Sequence, residues 1–224
     1  MKLNSICLCI TNYKKEAYLD RAIRSCQSQI QQNFNIEIVL VNDGSPKFLE
    51  KFYKTEYPEI KIINYKPNKG VSYASNKAIN YTKSKYFMRV DADDYLSIRA
   101  CIILLSILEN NQDIPFAYGD ITKISNPGIQ KIIKRNDKLT LMSHGAGILF
   151  RTKIIRKIGL YNNKIKNCED FDLISRIIKK YGNGFYVPIS YYRYYKNAKN
   201  HLTNSIDRKK IINQMKKKYF NEYI

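Results

Sequence analysis

The stretch from Lys85 to Asp94 constrains the fold of this chain more than any other. Tyr86, Phe87, Met88 and Val90 make an almost unbroken apolar run, the pattern of a strand covered on both faces. The run then stops on Asp91, Asp93 and Asp94, three carboxylates within four residues. Acids crowded at the C-terminal edge of a strand repel one another, so something must offset that repulsion. A hard divalent cation does so with oxygen ligands and bridges readily to phosphate. Solvent and salt do so at an exposed acidic turn.

The residues upstream supply the sheet that such a strand needs. Ser5–Ile10 reads as a short apolar strand, and Thr11–Lys15 as a polar loop. Leu19, Ala22, Ile23 and Cys26 then recur at the spacing of an amphipathic helix. Ile36–Val41 is a second strand, ending at Asn42-Asp43-Gly44-Ser45-Pro46, where Ser45 is placed to cap the next helix with Pro46 at its first position. Ile60–Tyr65 is a third strand, and Asn68-Lys69-Gly70 turns into a helix through Ala74, Ala78 and Tyr81. Strand and helix alternate, which predicts an α/β fold with a mostly parallel sheet flanked by helices. Such sheets bind ligands beyond the C-terminal ends of their strands. Tyr13, Asp43, Asn68 and the acids from Asp91 onward all fall at those ends, so one cleft is expected to gather them.

The second half is less regular. Ala100, Ile103, Leu104, Ile107 and Leu108 form a helical stripe, and Phe116–Ile124 reads as a strand before the Asn126-Pro127-Gly128 turn. Ser143-His144-Gly145-Ala146-Gly147 is a segment of small residues that lets a ligand or another backbone approach closely. A strand at Ile148–Phe150 and a helix from Thr152 to Ile158 follow. Asn167 is placed as the N-cap of a helix carrying Phe171, Ile174, Ile177, Ile178 and Tyr181 on one side, and Tyr191–Tyr195 as a strand. Residues 205–224 read as a basic C-terminal helix, with Ile211, Ile212, Met215 and Tyr219 on one face and lysines around it. Such a helix suits an anionic membrane surface, or packs its apolar stripe on the domain.

Charge and cysteine usage bound the partners. Lys and Arg total 39 against 19 Asp and Glu, a formal +20, which favours anionic partners. The five cysteines lack a framework spacing, and Cys7 and Cys9, two apart in a strand, share a face as buried thiols. No apolar run has the length of a membrane span, and Met1-Lys2-Leu3-Asn4 leads into no signal-peptide core. These features predict a reduced, cytoplasmic protein, peripheral on the inner face of the cytoplasmic membrane if the basic tail binds lipid.

Four landmarks in order now carry a resemblance: Val41-Asn42-Asp43-Gly44-Ser45, Asn68-Lys69-Gly70, Asp91-Ala92-Asp93-Asp94 and Glu169-Asp170. Between the last two, Gly145–Arg151 and Ile158-Gly159 are similar to an acceptor-side segment. The chain resembles the family 2 glycosyltransferases of GT-A fold over roughly Ser5–Tyr195. The resemblance implies one domain over residues 1–204, with a nucleotide-binding half to about 97 and a smaller acceptor half over about 98–204. It implies an inverting transfer of a sugar from a nucleotide-sugar donor, UDP-linked, to a glycan or lipid-linked acceptor in bacterial surface polysaccharide synthesis. It implies a divalent metal, Mn²⁺ or Mg²⁺, and no nucleic-acid partner.

The resemblance also assigns residues. Asp43 resembles the acid that accepts a hydrogen bond from the uracil N–H, and is equally the turn residue of an Asp-Gly pair. Asp91 resembles the acid on the ribose hydroxyls and Asp93 the metal ligand. Asp94 is placed near the donor sugar or in a turn. Tyr13 lines the nucleotide pocket or packs as an ordinary tyrosine. Asp170 resembles the catalytic base, which takes the proton of the attacking hydroxyl; Glu169 is left to the helix's first turn, where the dipole favours acids. His144 and Gly145 stand on the acceptor side. The chain departs from the family at Lys14, where asparagine is common, and at Ser75, where arginine is common; Lys69 or Lys77 replaces that charge but not its fork geometry. A histidine expected after the Tyr191–Arg193 strand is missing, and His201 is the nearest substitute metal ligand or a surface residue. Two other readings compete. A sugar-nucleotide pyrophosphorylase requires a glycine-rich basic loop after the first strand, and Thr11–Lys14 lacks it. A nucleic-acid binder requires a basic groove lined with aromatics.

Overall fold

The computed structural model describes residues 4–125, 128–142, 144–196, 213, 214, 217 and 219. In chain order the elements are β1 (Asn4–Asn12), α1 (Glu16–Gln27), β2 (Phe34–Asp43), α2 (Glu50–Glu56), β3 (Lys61–Tyr65), α3 (Val71–Tyr81), β4 (Tyr86–Asp91), β5 (Tyr95–Leu96) and α4 (Ala100–Asn110). There follow β6 (Phe116–Ser125), β7 (Ile129–Ile133), α5 (Lys138–Met142), β8 (Leu149–Arg151), α6 (Thr152–Lys157), α7 (Glu169–Tyr181) and β9 (Phe185–Tyr195). Among the described residues one nine-stranded sheet runs β3-β2-β1-β4-β8-β6-β9-β5, with β7 on the free side of β6.

The first four strands pair in parallel, as the alternation of strand and helix predicts. β8 joins β4 antiparallel, and β6 joins β8 antiparallel, so the sheet crosses from a parallel half into a mixed half without a break. Alternation along β1 explains the layering. Ile6, Leu8 and Ile10 face α1, α2 and α4, while Cys7 and Cys9 face α3, α6 and α7. Both cysteines are fully buried and free. Each buried Ile or Leu on these faces contributes about 1.5–3 kcal/mol of transfer energy. On α1 the buried residues are Leu19, Ala22, Ile23 and Cys26, the set given by the helical spacing.

Two helix starts differ from expectation. Ser45 does not cap a helix. Its Oγ accepts from Lys14 N at 2.5 Å, α2 begins only at Glu50, and no side chain caps it. The N-cap of α7 is Cys168, left-handed at φ 65°, so the helix opens on Glu169 rather than after an Asn167 cap. Arg151 sits at the seam of the two halves. Its guanidinium donates to the carbonyls of Leu108, Asn111 and Ile114, which takes up carbonyls left open at the end of α4. His201 and most of 205–224 lie outside the described residues. Within that tail Asn213, Gln214, Lys217 and Tyr219 are helical, and the Tyr219 hydroxyl donates to Asp172 Oδ1 while its ring packs on the α7 face.

Candidate active site

The C-terminal ends of β1, β2 and β4 open into a cleft of about 770 Å³ whose opposite wall is the start of α7. Its floor is tied by an asparagine ladder. Asn12, Asn42 and Asn64 are register partners on β1, β2 and β3. Asn12 Nδ2 donates to Asn42 Oδ1 and Asn42 Nδ2 to Asn64 Oδ1, both at 2.9 Å. These strand-end amides hold three loops in register beside the cleft.

Asp43 is buried at the cleft edge and shapes the loop opposite. Its Oδ2 accepts from Asn68 Nδ2 at 2.7 Å and Gly70 N at 2.8 Å, and its Oδ1 from Lys69 N at 2.8 Å. The buried Tyr65 hydroxyl also neighbours this carboxylate, and burial, then the carboxylate charge, pushes the phenol up. The approach requires Gly44, because a Cβ there would meet Asn68 N at 2.5 Å with φ at +77°. Tyr13 is 40% exposed at the cleft mouth, with Lys14 Nζ 5.0 Å above its ring. Lys69 also lines the cleft, its ammonium 4.7 Å over the Tyr73 ring. Lys77 lies over the same ring from the far side of the turn, at 5.3 Å.

The acid cluster is compensated largely from within the protein. Arg89 Nε lies 3.0 Å from Asp91 Oδ1, and Lys15 Nζ lies 2.9 Å from Asp93 Oδ2. Asp94 turns away from the cleft lining into β9, where it accepts from the Tyr192 hydroxyl and from Tyr195 N, both at 2.8 Å. Burial, then the charges of Asp91 and Asp93, push its carboxyl well above the usual range. Asp91, Asp94 and His144 each offer one ligand atom, all within 4.8 Å of one another. Two carboxylates and an imidazole suit Mn²⁺, so the residues present fit a divalent cation. Asp93 stands outside this trio, on its ion pair with Lys15.

The small-residue segment lies where the sequence places it, and the structure gives its partners. His144 lines the cleft edge-on to the rings of Tyr192 and Tyr194, at 5.4 and 5.0 Å. What approaches Gly145 is Asp170: a Cβ on Gly145 would sit 2.2 Å from Asp170 Cγ and Oδ1. What approaches Gly147 is the Tyr192 ring, whose Cδ2 would lie 2.4 Å from a Cβ there. Arg135, fully buried, holds the segment from behind by donating to His144 O at 2.9 Å and Gly119 O at 2.5 Å.

Asp170 stands in the first turn of α7 with its side chain 10% exposed. It faces Arg89, which sequence reading passed over as one polar residue in an apolar strand. Arg89 Nη1 and Nη2 donate to Asp170 Oδ1 and Oδ2, each at 3.0 Å, and Nη1 reaches Glu169 Oε1 at 3.3 Å. Burial, then the neighbouring Asp170 charge, pushes the Glu169 carboxyl up to about 8. One signal in the sequence pointed to Arg89. A charged residue inside a doubly covered strand needs acids on the same face, and Asp91 is two residues on.

With this geometry in hand, comparison with known proteins is informative. The sequence model described as "Glycosyl transferase family 2" matches residues 5–159. The chain belongs to glycosyltransferase family 2. Its relatives include the teichoic acid poly(glycerol phosphate) polymerase of Staphylococcus epidermidis, 26% identical over 197 residues, covering 82% of this chain and 27% of that one. The minor teichoic acid biosynthesis protein GgaB of Bacillus subtilis is 30% identical over 190 residues, 76% of this chain and 21% of that one. An uncharacterized glycosyltransferase of Haemophilus influenzae is 34% identical over 116 residues, 50% of this chain and 34% of that one. The chain thus spans about a fifth to a third of the length of these relatives. In fold it is similar to TarS of S. aureus, solved in complex with UDP-GlcNAc, at a TM-score of 0.78 and 13% identity over 96% of this chain and 67% of that one. The family 2 chain shares the GT-A architecture that its motif order implies.

Proposed function

We propose that this family 2 chain is an inverting glycosyltransferase that moves a sugar from a nucleotide-sugar donor, UDP-linked, to a hydroxyl of a surface glycan or lipid-linked acceptor. One observation carries the reading. A nucleotide-sized cleft has Asp43, Asp91 and Asp93 along its strand-end wall and Asp170 on the facing helix start. Inverting transfer needs that opposition, with a base on the acceptor side and a compensated charge on the side of the departing diphosphate. The TarS complex with UDP-GlcNAc and the teichoic acid relatives support the choice of donor class and acceptor setting.

In this reading Asp43 takes the base of the nucleotide at the cleft edge, beside the exposed ring of Tyr13. Asp91 faces the ribose or the cation, and Lys69 and Lys15 line the path of the diphosphate. A divalent cation would be held by Asp91, Asp94 and His144, beside Asp93, and when bound would neutralise the developing charge of the leaving group. Asp170 takes the proton of the acceptor hydroxyl. Residues up to about 97 form the nucleotide half, and those from 98 the acceptor half. Among the described residues no helix is long and apolar enough to cross a membrane. The basic tail would bring the enzyme to an anionic membrane surface beside a lipid-linked acceptor, at the cytoplasmic face where nucleotide sugars are met.

A panel of nucleotide sugars tests the proposal by hydrolysis and by thermal stabilisation, with Mn²⁺ and with EDTA. Stabilisation and turnover by UDP-sugars, lost with EDTA, are expected. No response to any nucleotide sugar in either condition would rule the proposal out.

A further inference from the structure

Arg89 occupies a place that its strand does not require. It is 3% exposed, in the middle of a sheet, with Cys9 beside it on β1. A guanidinium there carries a desolvation cost that only good geometry repays. A core packed with apolar side chains at this position would hold the sheet as well. Instead the fork serves the cleft, through hydrogen bonds from its two Nη groups and an ion pair, without a hydrogen bond, at Nε. Nε meets Asp91 on the strand-end wall at 3.0 Å, while Nη1 and Nη2 grip Asp170 on the helix wall at 3.0 Å each. The backbone of the same residue holds a third part of the site, since Arg89 O accepts from Gly147 N at 2.9 Å.

The lone pairs of Asp170 can be counted. Oδ2 accepts from Arg89 Nη2 and from Gly145 N, both at 3.0 Å, so both of its positions are taken. Oδ1 accepts from Arg89 Nη1 alone, so one position stays open. A bidentate pair also fixes the plane of the carboxylate, which a single ammonium cannot do.

We infer that Arg89 is a positioning residue for transfer, which locks the Asp170 carboxylate so that Oδ1 is the atom that accepts the acceptor proton and ties that base to Asp91 across the cleft. The inference rests on the transferase reading above. In the step itself the acceptor oxygen bonds to the anomeric carbon as its proton passes to Oδ1. The bond from that carbon to the diphosphate oxygen breaks, and its electron pair leaves with the nucleoside diphosphate. Arg89 acts through Asp170. It sets where the proton goes, and it keeps the base from swinging toward the cationic side of the cleft, where Lys15 stands.

The test compares Arg89→Lys, Arg89→Ala and wild type for turnover on the best nucleotide sugar, UDP affinity by calorimetry, and thermal unfolding. Arg89→Lys keeps the charge and loses the fork, and is expected to lose about a hundredfold in turnover while UDP affinity stays within about threefold. Guanidinium ion added to Arg89→Ala is expected to restore part of the lost turnover, and urea, the uncharged molecule of like shape, none of it. Three results overturn the inference: Arg89→Lys with turnover within about threefold of wild type, turnover and UDP affinity falling together, or an Arg89→Lys chain without cooperative unfolding, which would make Arg89 a brace of the fold alone. If wild type turns over no nucleotide sugar, the transferase reading fails instead. A crystal structure of Arg89→Lys then decides the positioning role, and an Asp170 carboxylate unmoved from Gly145 refutes it.

Discussion

Gly145→Ala isolates the contact on which the candidate base depends. The backbone at Gly145 lies outside the left-handed region, so alanine is tolerated there conformationally and the effect is steric. The added Cβ would stand 2.2 Å from Asp170 Cγ and Oδ1 and 2.6 Å from its Cβ, where ordinary contact begins at 3.4 Å. Asp170 must therefore retreat by about 1 Å, and a misplacement of that size costs roughly a hundredfold in rate. The retreat also lengthens the bonds to Arg89 and to Gly145 N. Charge-assisted bonds contribute about 1.5–3 kcal/mol each, so losing one and weakening the others costs about 2–4 kcal/mol of stability. Urea unfolding and initial rates on the best nucleotide sugar measure both effects. The double variant Gly145→Ala/Asp170→Gly removes the clash, Cβ included, and its loss of stability should be smaller than the sum of the single losses. Turnover within about threefold of wild type, or strictly additive stabilities, would refute the argument that Asp170 is seated by the missing side chain.

Four other expectations follow from the same geometry. Asp170→Asn should abolish transfer and leave UDP affinity nearly intact, and an equal fall in both would return Asp170 to a structural or nucleotide-binding role. Asp93→Asn should keep the fold and lower turnover about a hundredfold, the scale of one charge-stabilising group; full activity in that variant removes Asp93 from the metal site, and full activity in EDTA removes the metal role. Glu169, raised to about 8, keeps its proton in the folded chain while the unfolded chain loses it from the ordinary carboxylate range upward. Stability from this group is complete at acid pH and falls as pH rises through that window to about 8, so Glu169→Gln should flatten the slope of stability against pH, and an unchanged slope would show that Glu169 is not the group responsible. Vesicle co-sedimentation tests the basic tail. Salt-sensitive binding to anionic but not neutral vesicles, lost on removing 205–224, supports membrane docking, whereas equal recovery in the supernatant with both lipids favours the packing that the Tyr219–Asp172 bond already represents.

The parallel half of the fold is written plainly in the sequence, because strands covered on both faces and helices of 3.6 period leave different spacings. That is why β1 to β4, the face of α1 and Ala74 and Ala78 on α3 agree with the reading, while Tyr81 lies exposed. The cleft's acids were legible as strand-end residues for the same reason. Their partners were not, since a contact such as Arg89 with Asp170 joins residues 81 positions apart and leaves no periodic trace. The asparagine ladder was hidden likewise: each Asn looks like a loop residue until the register puts the three side by side. Ser45 misled because a hydroxyl satisfies any nearby donor, and here the donor was the backbone of Lys14 rather than the next helix. Gly145 was read as room for a visitor, and the visitor is the protein's own Asp170.

The unbroken sheet has a mechanical consequence. A jaw-like closure of the two halves would have to tear the β4–β8 and β8–β6 ladders, whose strands are held about 4.8 Å apart by their hydrogen bonds. The floor beneath both substrates therefore moves as one stiff plate. The connection between α6 and α7 lines the cleft through Asn163, Ile165, Lys166, Asn167 and Cys168, and it is tied to α3 where Ser72 donates to Ile165 O and Asn76 to Asn163 Oδ1. In a chain built this way the spacing between the strand-end acids and Asp170 is set once, at folding, by the plate and by the helix that Cys168 begins.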